Sequence, residues 1–360
     1  MVMEKKLMKG NEAISEGALR AGCRFYAGYP ITPQSEILEY MSVNMDKYGG
    51  IFIQGESEIA SVCMLWGALA AGMRGMTSSS GPGFSLKQEG IAYIASYNLP
   101  AVIVSVMRYG IGGGDITQGQ DSYWQAVKGG GNGDYKLIVL SPNSVDECAN
   151  LTYEAFDLAE KYGNPVLILA DGAVGQMVEM CSLPEAKEHD IDKNDWCIRG
   201  RALGEPKRKV TNLNWYMGER QWENFVRSKI SRIKKELQRY EEYMTKDAEI
   251  VLVAYGISSR VAKKAVKDAR ARGMKLGLVR PISLWPFPQQ PFETPPESVR
   301  AYVTVEMNIL GQMAEDVRTA LRFQRPVYTH ATAIDVPDSE DIIEYCKLVE
   351  SGAVEPTEVL

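Results

Sequence analysis

Short apolar runs alternate with amphipathic stretches through the first half of the chain. The runs have the length of buried strands, whereas the stretches between them are amphipathic. Strand, helix and strand in this order predict an α/β fold with a parallel sheet that is covered by helices on both faces. The predicted strands lie within residues 23–29, 50–54, 75–79, 101–107, 136–142 and 165–171, and the predicted helices within 11–22, 57–72 and 144–163.

One predicted helix differs from the others in its pattern. The segment ASVCMLWGALAAG, residues 60–72, is apolar almost all the way round instead of along one stripe. A helix with no polar face is expected to be enclosed by the rest of the protein. We therefore predict that this helix is buried.

The alternation stops at about residue 184, and the segment 185–247 is polar and charged. Near its end, Ile230, Ile233, Leu237 and Tyr240 recur at helical spacing between charged residues. This pattern predicts an amphipathic connector helix. It either packs on a neighbouring element or remains a solvated linker.

A second alternation begins at residue 248. Strands are predicted within 249–256, 275–281 and 301–308, helices within 258–273 and 311–323, and a loop at LWPFP, residues 284–288. We therefore predict three parts: a larger α/β domain over residues 1–184, a polar connector over 185–247 and a smaller α/β domain over 248–360.

Composition and charge exclude several classes of protein. The chain of 360 residues has a formal net charge of −6, which argues against a nucleic-acid-binding protein. No run of about 18 apolar residues is present, and the N-terminal segment lacks the apolar core of a signal peptide. We expect a cytoplasmic protein without a membrane partner.

Cysteine and histidine usage narrows the chemistry further. No two of the six cysteines lie within ten positions of each other, so the chain has no ferredoxin-like cluster motif, and we expect the cysteines to be small buried apolar side chains. With two histidines, a histidine metal site or a Ser-His-Asp triad is not expected, and we predict no metal ligands. The chemistry has to come from carboxylates, arginine, hydroxyls or a borrowed cofactor.

Ligands of open α/β sheets bind at the carboxyl ends of the strands. The first loop there is YPITP, residues 29–33, in which Pro30 and Pro33 restrict the backbone on both sides of Thr32. The loop is either an ordinary turn or the stiff wall of a binding pocket.

The second loop, QGESEIAS, carries Glu56 and Glu58 directly before the apolar helix. Acids in a first helical turn commonly complement the helix dipole, with Ser57 as the N-cap. The alternative is a desolvated carboxylate that hydrogen-bonds a protonated heterocycle nitrogen.

The third and fourth loops offer backbone amides and a guanidinium. TSSSGPG, residues 77–83, allows a ligand to approach the backbone closely, although it lacks the lysine of a P-loop. Arg108 follows an apolar strand and precedes the glycines 112–114, which would allow the loop to move. Arg108 could clamp a carboxylate or form a structural salt bridge.

Together these motifs resemble one family. YPITP, GESEIA with a small-residue helix, TSSSGPG and LPAVIVSVMR resemble the pyrimidine-type domain of the 2-oxoacid:ferredoxin oxidoreductases, which use thiamine diphosphate, iron–sulfur clusters and coenzyme A. LVRPISLWPFP and VEMNILGQMAEDVR resemble that family's second domain, which is related to the transketolase C-terminal domain. The segment GQDSYW before KGGGNGDYKLIVLSP is most similar to alpha-type subunits of the branched-chain (2-oxoisovalerate) branch.

The resemblance implies a role for individual residues. Glu58 matches the glutamate that hydrogen-bonds N1′ of the aminopyrimidine and favours its imino tautomer, which activates the thiazolium carbon. Thr32 matches the hydroxyl that contacts substrate, and Arg108 matches the arginine that pairs with the oxoacid carboxylate. The remaining implied cofactor contacts are Tyr29, Pro30, Ile31, Ser80, Gly81 and Pro82.

One family motif is missing. The family's diphosphate and magnesium motif begins with GDG, whereas here Asp171 and Gly172 follow an alanine. The resemblance therefore implies half an active site, with a beta-type subunit that holds the diphosphate and Mg²⁺. It also implies gamma-type and small ferredoxin-like subunits with iron–sulfur clusters, ferredoxin as electron acceptor and coenzyme A as cosubstrate.

The predicted reaction is oxidative decarboxylation of a 2-oxoacid, branched in the first instance, to an acyl-CoA and CO₂. Two alternatives stay open. The substrate could be 2-oxoglutarate or pyruvate, or the chain could be a noncatalytic scaffold that only stabilises a partner.

Overall fold

The structure is a computed structural model that describes residues 4–189, 197–198 and 217–358. The strands are β1 (Glu4–Lys9), β2 (Phe25–Gly28), β3 (Ile51–Gln54), β4 (Gly75–Ser79), β5 (Val102–Met107), β6 (Ile138–Leu140), β7 (Val166–Asp171), β8 (Val178–Leu183), β9 (Tyr240–Tyr243), β10 (Ile250–Val253), β11 (Leu276–Pro281), β12 (Ser283–Trp285), β13 (Ala301–Glu306) and β14 (Val327–Ala331). The α-helices are α1 (Gly10–Arg20), α2 (Ser35–Asn44), α3 (Glu58–Ala70), α4 (Gly81–Leu86), α5 (Gln88–Ser96), α6 (Tyr123–Lys128), α7 (Val145–Tyr162), α8 (Gly172–Gln176), α9 (Glu219–Glu236), α10 (Gly256–Ala271), α11 (Gln290–Glu293), α12 (Ala314–Ala320) and α13 (Ser339–Ser351).

The first sheet has seven strands in the order β12-β6-β7-β5-β4-β2-β3, and all neighbours are parallel except β12 and β6. Helices α1, α2 and α7 pack against one another, and α3, α4 and α5 do so separately, which gives the sheet a helix layer on each face. The prediction of a parallel α/β sheet is confirmed. Its central strands β4, β5 and β7 are buried throughout, as parallel strands between two helix layers must be.

The expectation that α3 is enclosed was wrong. Val62, Leu65 and Leu69 face the sheet at helical spacing, but Ile59 and Cys63 on the opposite side are exposed. Both sides of α3 therefore carry apolar residues, but this chain buries only the side that faces the sheet. Cys63 is also the exception among the cysteines, since the other five are buried as expected.

The second sheet has five strands in the order β14-β13-β10-β11-β9, parallel except for β9. The predicted connector helix is α9, which packs on the protein through Ile233 and the half-buried Ile230. Tyr240 was wrongly included in this helix, because the helix ends before Leu237 and Tyr240 begins β9. The rest of the predicted connector lies partly outside the described residues.

Two strands pair with a sheet outside the part of the chain in which they were predicted. Strand β9 lies in the predicted connector but pairs with β11, and β12 lies in the predicted second domain but pairs with β6 of the first sheet. Leu284 and Trp285, predicted as part of a loop, belong to β12. The predicted limits 1–184, 185–247 and 248–360 stay a prediction.

A buried polar cluster joins the two sheets. Asp171 at the end of β7 accepts hydrogen bonds from the backbone amides of Val174 (2.9 Å) and Ile257 (2.8 Å), and from Gln120 (3.3 Å). Gly256 makes this approach possible: its φ is +56°, and a Cβ atom there would lie 2.1 Å from Oδ2 of Asp171. The second domain is thereby seated beside the carboxyl ends of the first sheet.

Among the described residues, the helices are all too short or too polar to cross a membrane.

Candidate active site

The carboxylate of Glu58 is buried at the carboxyl edge of the first sheet. Glu58 is the first residue of α3, and Ser57 caps the helix by accepting a hydrogen bond from the amide of Ala60 at 3.1 Å. Such a cap contributes about 1 kcal/mol to helix stability. Glu58 is 5% exposed, whereas Glu56 is exposed. The structure therefore separates the two acids that the sequence places side by side, and Glu58 is the one that faces the interior.

The first turn of α4, directly after β4, approaches this carboxylate with its backbone. A Cβ atom on Gly83 would lie 2.3 Å from Oε1 of Glu58 and 2.3 Å from Oγ of Ser79. The Ser79 and Ser80 side chains are buried, and their hydroxyls have no hydrogen-bond partner among the described residues. Because unpartnered buried hydroxyls cost free energy, their presence beside a buried acid indicates a site that binds a polar group.

Arg108 lies on the other side of the same turn. Its Nη1 donates to the carbonyl oxygen of Thr32 at 3.1 Å, and its Nη2 donates to the carbonyl oxygen of Gly113. A Cβ atom on Gly81 would lie 2.8 Å from Nε of Arg108, and this Nε has no partner among the described residues. Arg108 forms no salt bridge with the residues that the structure describes. The alternative that Arg108 serves in a structural salt bridge is therefore not supported.

The glycine-rich loop after Arg108 folds back over its guanidinium. Arg108 and Gln118 form an isolated antiparallel β-bridge, and the amide of Tyr109 donates to the carbonyl oxygen of Thr117 at 3.0 Å. The loop tip carries Ile111, which is 99% exposed. Movement of this loop stays a prediction.

The YPITP loop lies beside Arg108 through its backbone. Tyr29, Pro30 and Thr32 are exposed, and Ile31 is half-buried. The carbonyl oxygen of Tyr29 accepts a hydrogen bond from Gln34 at 3.1 Å. Thr32 meets Arg108 with its carbonyl oxygen, while its predicted role requires the hydroxyl, so that role stays a prediction.

One residue of the site escaped the sequence analysis. Lys87, which follows α4, is fully buried, and its Nζ donates to Oγ1 of Thr77 at 3.0 Å and to the carbonyl oxygen of Glu58 at 3.3 Å. Phe84, Lys87 and Ile91 follow one another at helical spacing, and the two apolar members are buried. A lysine in an apolar stripe was the signal that could have identified it.

Comparisons with known proteins identify the family of the chain. Residues 16–243 match the family model described as pyruvate flavodoxin/ferredoxin oxidoreductase, thiamine diphosphate-binding, and residues 248–335 match core domain II of pyruvate:ferredoxin oxidoreductase. The chain is 52% identical over 320 residues to ketoisovalerate oxidoreductase subunit VorB of Methanothermobacter marburgensis, which covers 88% of this chain and 90% of that protein.

Solved structures give the same result for the fold. The 2-oxoglutarate:ferredoxin oxidoreductase of Magnetococcus marinus, with 2-oxoglutarate, coenzyme A and succinyl-CoA bound, superposes with a TM-score of 0.84 at 26% identity and covers 96% of this chain. This chain spans 65% of that one. A split-gene transketolase, an inactive tetramer, has the same fold at 13% identity, with a TM-score of 0.59 and coverage of 94% of this chain and 97% of that one. The chain belongs to the 2-oxoacid:ferredoxin oxidoreductase family, as an alpha-type subunit of these thiamine diphosphate-dependent enzymes.

Proposed function

We propose that this chain provides the pyrimidine-facing half of the thiamine diphosphate site and the carboxylate-binding site of a cytoplasmic branched-chain 2-oxoacid:ferredoxin oxidoreductase. The observation that carries the proposal is the buried carboxylate of Glu58, which the backbone of Gly83 approaches closely while Arg108 lies beside Gly81 of the same turn. The acid and the cation thus lie on either side of the first turn of α4, at the edge of the sheet where α/β enzymes bind ligands.

The residues around Glu58 fit an aromatic nitrogen heterocycle. A buried carboxylate accepts a hydrogen bond from a ring nitrogen and favours its protonated form. The backbone of Gly83 packs directly against the carboxylate, and the buried hydroxyls of Ser79 and Ser80 remain available to a ligand. When bound, thiamine diphosphate supplies the nucleophilic carbon and the electron sink for decarboxylation.

Arg108 would hold the oxoacid. A carboxylate binds best to two neighbouring guanidinium N–H groups, and on Arg108 the unpartnered Nε and the adjacent Nη2 form such an edge. The carbonyl oxygen of Gly113 occupies Nη2, so an incoming carboxylate would replace it. Thr32 lies beside the other arm and would direct its hydroxyl towards the same substrate.

The remaining cofactor contacts are proposed to form the walls of the pocket. Ser80, Gly81 and Pro82 belong to the turn that faces Glu58 and Arg108. Tyr29, Pro30 and Ile31 belong to the loop on the far side of Arg108, where the first two are exposed. Exposed residues enclose a ligand only when a second surface covers them.

A beta-type partner subunit is proposed to supply that surface, together with the sites for diphosphate and Mg²⁺. Asp171, which with Gly172 most resembles the missing GDG motif, already accepts hydrogen bonds from three groups of this chain. Beside Glu58, α3 to α5 expose the apolar residues Ile59, Leu86 and Tyr93, together with Cys63. We call these four residues the α3–α5 apolar face, and contiguous exposed apolar surface of this kind is typical of interfaces.

The complete reaction requires further partners. A 2-oxoacid, coenzyme A and two oxidised ferredoxins would give an acyl-CoA, CO₂, a proton and two reduced ferredoxins. We assign the iron–sulfur clusters that carry the two electrons to gamma-type and small ferredoxin-like subunits. The 52% identity to a subunit named for ketoisovalerate favours a branched-chain substrate.

The test is an anaerobic assay of the chain assembled with its partner subunits. Coenzyme A-dependent ferredoxin reduction is measured with 3-methyl-2-oxobutanoate, 2-oxoglutarate and pyruvate, and bound thiamine diphosphate is determined chemically. We expect the highest kcat/KM with the branched substrate. A preference for 2-oxoglutarate or pyruvate would overturn the substrate assignment but leave the site assignment intact.

The variant Glu58→Gln tests the site itself. We expect the complex to assemble and its turnover to fall by about 100-fold or more, the range for loss of a group that manages a proton in the reaction. Glu56→Gln, with an exposed side chain two residues earlier, is the matched control and should behave like the wild type. Normal turnover of Glu58→Gln would favour the noncatalytic scaffold instead.

A further inference from the structure

Lys87 is a lysine in an unusual place. Its side chain is among the largest that are fully buried in the protein, next to the buried Phe84 and Ile91. Lysine is almost never fully buried unless it is paired with an acid, because removing an ammonium group from water is costly. Lys87 forms no salt bridge with any residue that the structure describes. The position therefore reduces the stability of the fold.

Its partners lie at the amino end of α3. The ammonium donates to the carbonyl oxygen of Glu58, the first residue of that helix, and to the hydroxyl of Thr77 on β4. A cation at the amino end of a helix is unfavourable, because the helix dipole is positive there. Both burial and the dipole thus oppose a charged lysine at this position. Strongly perturbed ionisable groups of this kind cluster at functional sites.

The electrostatics point to the Glu58 carboxylate. Burial lowers the pKa of Lys87 to about 7, and the largest opposing influence is the negative charge of the Glu58 carboxylate on α3. Strand β4 contributes the uncharged hydroxyl of Thr77, which in turn donates to the carbonyl oxygen of Ala27 at 2.6 Å. Glu58 is therefore the acid whose charge the ammonium group most directly balances.

We propose that Lys87 is a positioning residue for Glu58: its buried side chain ties the first turn of α3 to β4 through the carbonyl oxygen of Glu58 and the hydroxyl of Thr77, and so fixes where the Glu58 carboxylate lies. This inference rests on the proposed role of Glu58. The carbonyl and the carboxylate belong to the same residue, so a lysine that holds the first restricts the position of the second.

The test uses the assembled complex and the variant Lys87→Met, which keeps an unbranched side chain and removes the charge. We expect two changes. The Kd for thiamine diphosphate, measured by calorimetry on the cofactor-depleted complex, rises about tenfold or more, since hydrogen bonds and charges of this kind contribute that much. At saturating thiamine diphosphate kcat also falls, because Glu58 is displaced, whereas KM for the oxoacid, whose proposed contact is Arg108, stays unchanged.

A matched control is available in Lys229 on α9. Burial also lowers its pKa, to about 8, and its Nζ donates to Asn98 at 2.9 Å and to the carbonyl oxygen of Gly163 at 3.2 Å. These partners precede β5 and β7, so Lys229 lies at the amino ends of the strands, opposite the Glu58 site. Lys229→Met should leave both the Kd and kcat unchanged.

Thr77→Val is the second variant, for the case in which Lys87→Met does not assemble. It keeps the lysine and the side-chain shape but removes the hydroxyl that accepts from the ammonium group. We expect a smaller rise in Kd and a smaller fall in kcat than for Lys87→Met.

The inference is overturned if Lys87→Met, or Thr77→Val in its place, binds thiamine diphosphate like the wild type and keeps the wild-type kcat. A purely structural lysine predicts that result together with a lower unfolding temperature. Failure of this inference is distinct from failure of the proposed function. If only the inference fails, Glu58→Gln still lowers turnover strongly. If the proposed function fails, Glu58→Gln turns over normally.

Discussion

Gly83 faces the carboxylate of Glu58 so closely that a methyl group on its α-carbon would lie 2.3 Å from Oε1. That distance is far below van der Waals contact, so a side chain at position 83 and the present position of the carboxylate exclude each other. The end of a glutamate side chain can rotate away, whereas the backbone of the turn cannot easily do so. The glycine therefore fixes where the acid can be.

The variant Gly83→Ala should displace the Glu58 carboxylate with little damage to the fold. We expect kcat/KM to fall about tenfold or more and the free energy of unfolding to fall by about 1–3 kcal/mol, the usual cost of overpacking. Steady-state kinetics and urea unfolding of the same preparation measure both.

Gly67→Ala on α3 is the control for Gly83→Ala. A Cβ atom there would meet nothing within 4 Å, and alanine in a helix is about 0.5–1 kcal/mol more favourable than glycine. The free energy of unfolding of Gly67→Ala should therefore not fall, whereas that of Gly83→Ala should. Wild-type kcat/KM of Gly83→Ala would contradict the assigned role of the turn.

The variant Arg108→Lys should weaken binding of the oxoacid. Lysine keeps the charge but loses the planar pair of donors that matches a carboxylate. We expect KM for the oxoacid to rise about tenfold or more, in line with the contribution of hydrogen bonds to charged groups. Arg227→Lys, in an exposed ion pair with Glu223, is the control. A lower kcat with unchanged KM would argue against a carboxylate clamp.

The variant Ile59→Lys should prevent assembly without unfolding the chain. Ile59 is 51% exposed on the α3–α5 apolar face, so a lysine there is tolerated in water but not in an apolar interface. Size-exclusion chromatography with the partner subunits and circular dichroism of the chain report the two effects. Val43→Lys, on α2 in the other helix layer and 64% exposed, is the control. Normal assembly of Ile59→Lys would show that the partner binds elsewhere.

The variant Glu306→Gln should change how stability depends on pH. Glu306 is fully buried, and burial raises its pKa above the usual 4.5, against hydrogen bonds from the amide of Met313 and the side chain of Asn308. A raised carboxyl pKa stabilises the folded state at low pH, and this contribution is lost as the pH rises through the folded-state pKa. The uncharged glutamine has no such dependence.

We therefore expect Glu306→Gln to gain stability relative to the wild type as the pH increases above 4.5, by about 1.4 kcal/mol for each unit by which the pKa is raised. Urea unfolding at several pH values between 5 and 8 measures this. Glu297→Gln, at an exposed position, should show no such trend. A constant difference across that range would mean that Glu306 titrates as it does in water.

Local patterns predicted the elements that carry the site. Short runs of mostly apolar residues became β5 and β7, and Ser57 before Glu58 became the N-cap of α3, because both signals depend on neighbouring residues alone. The same local reasoning placed Tyr240 in a helix and residues 284–285 in a loop. Both were wrong, since pairing with β11 and β6, strands distant in sequence, outweighed the local preference.

The sequence by itself determined the α/β class, the order of the strands along the chain and the family, since these follow from periodicity and from motifs of adjacent residues. Only the tertiary structure decided that Glu58 is buried while Glu56 is exposed, that Gly83 and Arg108 flank one turn, and that Lys87 reaches the start of α3. Burial and contact depend on which strands become neighbours in the sheet. Neighbours in a parallel sheet are set by packing between segments far apart in the chain, which no window of sequence contains.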